Sequence, residues 1–138
     1  MRVYWDSTAL LNALVAGPVV QRFSKGEHVT RTHAYVEAFH HLSGRGLPMK
    51  DGTRKKVSAT DAARMIRRLS VKLSIRDLDL AEILKALDDA QTAGVSGGNI
   101  HDWIHARSAK LAGAELILTR DDDFVTLSEK EGITTDWP

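Results

Sequence analysis

The stretch from His101 to Phe124, HDWIHARSAKLAGAELILTRDDDF, constrains the fold more than any other part of the chain. Ala106, Ala109, Lys110 and Ala112 carry a helix, Gly113 is placed to end it in a left-handed conformation, and Leu116, Ile117 and Leu118 form a short apolar run. Asp121, Asp122 and Asp123 follow that run directly. A helix, a glycine stop and a buried strand in this order are half of a βαβ unit. Ligands of open α/β sheets bind outside the carboxyl ends of the strands, so acids at that point are placed for chemistry.

The rest of the chain repeats the alternation. Val3, Tyr4 and Trp5 form a first β-prone run, followed by Asp6 and Ser7 as turn or cap residues. Ala9, Leu10, Ala13 and Leu14 recur at helical spacing, and Gly17 with Pro18 stops that helix. His28 to Arg31 is a weaker strand. From Thr32 the pattern is helical, with Tyr35, Phe39 and Leu42 as the inward stripe and Glu37 near the opposite side, close to His33, His40 and His41. Ser43 to Thr53, with Gly44, Gly46, Pro48 and Gly52, reads as loop. Ser58 and Asp61 open a helix through Ala62, Met65, Ile66 and Leu69 that presents Arg64, Arg67 and Arg68 on its other face. Val71 to Ile75 is a strand candidate. Asp79 and Glu82 open a third helix, with Ile83, Leu84 and Leu87 inward and Gly94 at its end. Gly132, Ile133 and Thr134 suggest a last edge strand. Alternating strands and helices imply a largely parallel sheet covered on both faces. At 138 residues the chain makes a single domain, 1–138, because about 100 to 150 residues suffice to surround one core.

Charge is segregated. Arg45 to Arg76 holds ten basic residues against Asp51 and Asp61, a local charge of +8, while the whole chain carries only +1. A polyanion meeting the basic side and a cation on the acidic side would satisfy both halves. Cysteine is absent, which excludes disulfides, thiolate metal sites and a cysteine nucleophile. No uninterrupted apolar run approaches the ~20 residues of a membrane span, and the N-terminus lacks a cleavable leader pattern. A cytoplasmic protein without membrane attachment is expected.

Asp6, Asp102 and Asp121 each stand at the start of a helix, where an acid gains roughly 0.3 to 1 kcal/mol from capping and the helix dipole. Asp102, three residues after Asn99, could complete a capping box. Glu37 lies inside its helix and has no such explanation beyond a solvated face. A parallel sheet would bring all four acids to one edge, where carboxylates ~4 Å apart repel by about 4 kcal/mol at an effective dielectric of 20. A hard divalent cation, Mg²⁺ or Mn²⁺, is the natural compensation for an all-oxygen set.

In this arrangement the chain resembles the PIN-domain endoribonucleases, and among them the toxins of VapBC toxin–antitoxin pairs. VYWDSTALLNAL is similar to the family's opening strand with Asp6 as first acid, THAYVEAFHHL to its second motif with Glu37, and the tail to its third and fourth, with Asp102 and then Thr119 and Asp121 in a Thr-x-Asp pattern. The resemblance implies a three-layer α/β/α sandwich with a mostly parallel sheet of about five strands. It also implies Mg²⁺- or Mn²⁺-dependent RNA cleavage, a cognate antitoxin and frequent homodimers. Asp123 is a further contributor to the metal site, Ser7 and Thr119 are candidates to orient a carboxylate or water, and Lys55, Lys56, Arg64, Arg67 and Arg68 are candidates for RNA phosphates. Ser43 to Lys56 matches no motif of the family.

Three rivals remain. A nucleic-acid-binding module without catalysis would use the same basic window. His101 and His105, four apart on one helical face, resemble the zinc ligands of H-E-x-x-H enzymes, although Asp102 replaces the Glu and no third ligand motif follows. His33, Glu37 and His41 also share a helical face as an incidental transition-metal site. A receiver-like signalling domain would need an acidic pair after an early strand, and Asp6 has no acidic neighbour.

Overall fold

The computed structural model describes residues 1–15, 23 and 25–136. Its main sheet has five strands in the order β5-β2-β1-β6-β7, where β1 is Arg2–Trp5, β2 Glu27–Thr30, β5 Ser74–Ile75, β6 Leu116–Leu118 and β7 Thr134–Asp136. Every pairing in it is parallel, with Tyr4 opposite Val29 on one side and Ile117 on the other. The helices are α1 (Ser7–Leu14), α2 (Thr32–Gly44), α3 (Ala59–Ser70), α4 (Leu80–Ala93), α5 (Asn99–Leu111) and α6 (Asp122–Lys130).

The central strand explains the layering. Parallel strands covered on both faces are apolar throughout, and Val3, Tyr4 and Trp5 are all buried. Alternate side chains point to opposite faces. Val3 and Trp5 meet Leu10 and Ala13 of α1, Ala34 of α2 and Leu69 of α3, whereas Tyr4 meets Ala106 and Ala109 of α5 and Phe124 of α6. Three layers, α/β/α, result, as the sequence resemblance implies. Trp5 is further anchored by stacking on Phe23 at 4.3 Å between ring centres and by donating its indole N–H to His28 Nδ1 at 3.0 Å. The left-handed Gly113, at φ 71°, turns α5 into β6 as its sequence position predicts.

Two helices are rotated from the expected orientation. In α2 the buried residues are Ala34, Ala38 and Leu42, while Tyr35 is only partly covered and Phe39 remains 36% exposed. The reason is proximity: Ala34 and Ala38 pack so closely against α1 and α3 that no aromatic ring fits between. At about 100° per residue, this turns the helix by roughly a sixth of a revolution and moves Glu37 from the far side to the flank. In α4 the inward residues are Ala86 and Ala90, and Leu84 and Leu87 are exposed. Here Trp103 of α5 fills the interface and donates its N–H to the Ala86 carbonyl at 2.8 Å, so only small residues fit opposite it.

Boundaries also differ. The strand expected at His28 to Arg31 is Glu27–Thr30, and that expected from Val71 contracts to Ser74–Ile75. The expected loop from Ser43 is ordered: α2 continues to Gly44, and β3 (Leu47–Pro48) pairs antiparallel with β4 (Arg54–Lys55). Gly46, at φ 91°, makes this hairpin possible, since a Cβ there would drive into the Lys55 carbonyl. α1 ends at Leu14, and the proposed stop at Gly17 and Pro18 lies outside the described residues. At the opposite end of the helical layer, Arg107 of α5 bonds Glu131, just after α6, at 2.8 Å and Asp89 of α4 at 2.8 Å, and Lys110 reaches Glu131 at 3.0 Å. One ion network therefore ties three helices together.

Candidate active site

All five strands of the main sheet run the same way, so their carboxyl ends and the helix N-termini that follow share one edge. Asp6 ends β1 and caps α1 there. It is 4% exposed; Oδ1 accepts the Ala9 N–H at 2.8 Å and the Thr8 hydroxyl at 2.7 Å, and Oδ2 accepts the hydroxyl of Thr119, which follows β6. Burial pushes the Asp6 carboxyl above its ordinary range, against the opposing pull of Thr119, Thr8 and the Ala9 amide. Capping does not exclude a site role for this residue, because the cap uses only Oδ1.

Thr119 connects the two halves of the edge. While its hydroxyl donates to Asp6, its oxygen accepts the Asp121 N–H at 3.0 Å. Asp121 in turn caps α6 by accepting the Asp123 N–H at 3.0 Å. Ser7 does not share this work; it is buried at the start of α1, and the hydroxyl on Asp6 belongs to Thr8 instead.

Asp102 is not a cap. α5 begins at Asn99 after Gly98, with no side chain on its first amides, so the expected capping box is not formed. Its carboxyl is pushed up from 3.8 to about 7 by burial first, and then by the charges of Asp121, Asp6, Glu37 and Asp123. The largest charges acting on it are all negative. Five carboxylates from separate parts of the sequence thus share one field, and it raises the energy of the ionised state.

Glu37 belongs to the same field but is differently held. Burial would raise its pKa, yet the hydrogen bond and charge of His105, with smaller help from His33 and Arg31, leave it below its ordinary value. His105 Nε2 lies 2.7 Å from Glu37 Oε1, and its Nδ1 lies 2.6 Å from the Tyr4 hydroxyl. Tyr4 is completely buried, and burial lifts its pKa well above 10, so its O–H remains a donor. A carboxylate accepts only, so Nε2 carries the proton to Glu37, and in the neutral ring Nδ1 accepts from Tyr4. This Tyr4–His105–Glu37 chain closes the zinc alternative: both nitrogens of His105 are engaged, and His101 is an exposed ring stacked on His33 with 6.2 Å between centres. His33 approaches Glu37 only to 4.0 Å, and His41 joins neither.

Among the described residues, no group of three or more acids or histidines is drawn together tightly enough to hold a metal ion unaided. The fit to a divalent cation therefore rests on the donors: all are carboxylate oxygens, they are mutually repelling, and Asp102 forms no salt bridge among the described residues. The basic residues stand apart. Lys55 on β4, Lys56 and the α3 residues Arg64, Arg67 and Arg68 are exposed, and Arg64 is engaged by Asp61 at 3.2 Å. The sequence reading misses Tyr4 and Thr8 as site residues, and it names His105 only as a zinc-ligand candidate beside His101, not as the partner of Glu37 and Tyr4.

No protein-family model matches the chain, and no curated protein matches it. Solved structures do. VapBC-1 from nontypeable Haemophilus influenzae aligns with a TM-score of 0.66 and 15% identity over 99% of this chain and 98% of that one. PAE2754 from Pyrobaculum aerophilum aligns with a TM-score of 0.65 and 17% identity over 98% and 89%. At these identities the shared property is the fold.

Proposed function

We propose that this chain, which shares the fold of VapBC-1 and PAE2754 along its whole length, is a Mg²⁺- or Mn²⁺-dependent endoribonuclease of the PIN-domain type and the toxin of a VapBC-type pair. The observation that carries the reading is the gathering of Asp6, Glu37, Asp102, Asp121 and Asp123 at one sheet edge, where the largest charges acting on Asp102 are those of the other four acids. Asp6, Glu37, Asp102 and Asp121, with Asp123 in support, would hold the cation. A bound divalent ion supplies an activated water and charge neutralisation at the phosphoryl oxygens.

The chain's own side chains position the acids. Thr119 and Thr8 fix both oxygens of Asp6. Tyr4 and His105 fix Oε1 of Glu37 and leave Oε2 for another ligand. Fixing carboxylates through partners outside the ligand set typically contributes 10- to 100-fold in metal affinity or activity. Lys55, Lys56, Arg64, Arg67 and Arg68 would contact RNA phosphates, which orient a strand without reading its sequence. An antitoxin, a homodimeric state and a cytoplasmic location belong to the same proposal. Among the described residues, no helix is long and apolar enough to cross a membrane.

The test is cleavage of single-stranded RNA with Mg²⁺ or Mn²⁺, repeated after chelation and with Asp6→Asn. Activity is expected only in the wild type with metal. Cleavage that survives EDTA would refute the reading, and RNA binding without cleavage under any metal would favour a non-catalytic module.

A further inference from the structure

A groove of about 260 Å³ opens beside the carboxylate edge, lined among others by Thr8, Asn12, His41, Arg45, Arg54 and Arg120, and no acid contributes to its lining. We propose that this groove binds a backbone phosphate of single-stranded RNA, adjacent to the phosphate presented to the carboxylates. The inference rests on RNA being the substrate of that edge.

The groove's basic lining comes from three separate parts of the chain. Arg45 is the residue after α2, and Arg54 lies on β4 opposite Pro48 of β3. Arg45 thus stands just before the β3–β4 hairpin, whose turn from α2 depends on Gly46, and Arg54 at the turn end of its second strand. Neither has a carboxylate partner among the described residues, in contrast to Arg64, Arg76 and Arg107. Arg120 precedes Asp121 and is oriented by donating to Asn12 Oδ1 at 3.1 Å. Like charges facing one groove repel, and an anion relieves that repulsion. Guanidinium forks match phosphate oxygens in pairs, which a lone ammonium on an exposed helix face does not. Burial, aided by His40 and Arg45 and opposed by Glu37, lowers the pKa of His41, so at neutral pH it adds a hydrogen-bond donor to the groove rather than another charge.

Adjacency to the acids is set by Thr8. Its hydroxyl donates to Asp6 Oδ1 at 2.7 Å and its oxygen accepts the Arg120 N–H at 2.8 Å. One side chain thus forms a wall of both sites. A strand lying over Asp6 would meet positive charge immediately beyond Thr8. The exposed arginines of α3 lack this juxtaposition, which makes the groove the stronger candidate for orienting the strand at the point of cleavage.

The experiment measures fluorescence anisotropy of a labelled 12-nucleotide RNA in EDTA, at several salt concentrations, with wild type, R45Q/R54Q and R45K/R54K. Two lost contacts should weaken binding and reduce the slope of log K against log salt by roughly 1.4, since each contact to a single strand contributes ~0.7. The lysine pair should keep most of the slope, which a folding defect would not. An unchanged slope in R45Q/R54Q overturns the proposal. So does loss of binding to a polyglutamate peptide with RNA binding intact, which would assign the groove to an acidic protein segment. Inorganic pyrophosphate at tenfold excess over RNA phosphate should not displace the RNA; full displacement would make this a free-anion site. Cleavage is scored separately with metal. A wild type that binds with the groove-dependent slope but does not cleave removes the nuclease reading alone, and R45Q/R54Q cleaving with unchanged KM removes the groove alone.

Discussion

Replacing Asp102 by Asn removes one charge from a field dominated by repulsion from Asp121, Asp6, Glu37 and Asp123, so without metal the protein should become more stable. The carboxyl titrates at about 7 instead of 3.8, and at ~1.4 kcal/mol per pH unit its ionisation opposes folding by at most about 4 kcal/mol. Asp102 is only partly buried, and solvent screening reduces this to roughly 2 kcal/mol. Loss of an acid from the first turn of α5 subtracts ~0.5 kcal/mol, leaving a gain of about 1.5 kcal/mol at pH 8. The sign follows from proton binding. Between 3.8 and about 7 the folded state holds the proton and the unfolded state does not, so the wild type gains stability as pH falls through this window. The mutant lacks the proton and the gain. Its advantage should be full at pH 8, shrink through pH 7 and vanish near pH 4. Urea unfolding at pH 8, 7, 6 and 5 in EDTA measures this, and repetition with Mg²⁺ at pH 8 should stabilise the wild type more than the mutant. RNA cleavage should be lost. A mutant that is less stable at pH 8, by an amount independent of pH, would refute the reasoning and make Asp102 an ordinary helix-start acid.

Two further outcomes test how the acids are held. Thr119→Val leaves Asp6 Oδ2 without its hydroxyl and the Asp121 N–H without its acceptor; unfolding should cost about 1 to 3 kcal/mol less, and Mg²⁺ affinity by calorimetry should fall by roughly 10- to 100-fold. Glu131→Gln strips Arg107 and Lys110 of a shared, nearly buried partner, and should destabilise by about 3 kcal/mol in chemical denaturation while leaving metal affinity near wild type.

The parallel sheet, the helix order and the strand-end positions of Asp6 and Asp121 were legible because they are written in local chemistry: β-prone runs, glycine stops, and acids placed where a strand ends. The orientation of α2 was not. Tyr35 and Phe39 are the larger apolar residues, but the space left by α1 and α3 accepts only Ala34 and Ala38. That choice is made by neighbours distant in sequence, and it decides that Glu37 turns toward His105 rather than solvent. The same reason hides the link between Tyr4 and His105, 101 residues apart, whose hydrogen bond has no periodic trace. The hairpin at Leu47 and Arg54 was read as loop because its strands are two residues each, too short for alternation to register. Capping arguments were sound for Asp6 and Asp121 and misleading for Asp102, since the helix begins earlier than the acid suggests.

The order of the strands also sets a schedule for synthesis. β1 lies between β2, which follows within about 25 residues, and β6, whose Ile117 pairs with Tyr4. At 5 to 20 residues per second, a ribosome needs on the order of ten seconds to supply the second neighbour. Until then one edge of the central strand is open, Thr119 has not reached Asp6, and Asp102 and Asp121 have not joined the edge. The carboxylate edge is therefore assembled only when the last third of the chain has been made.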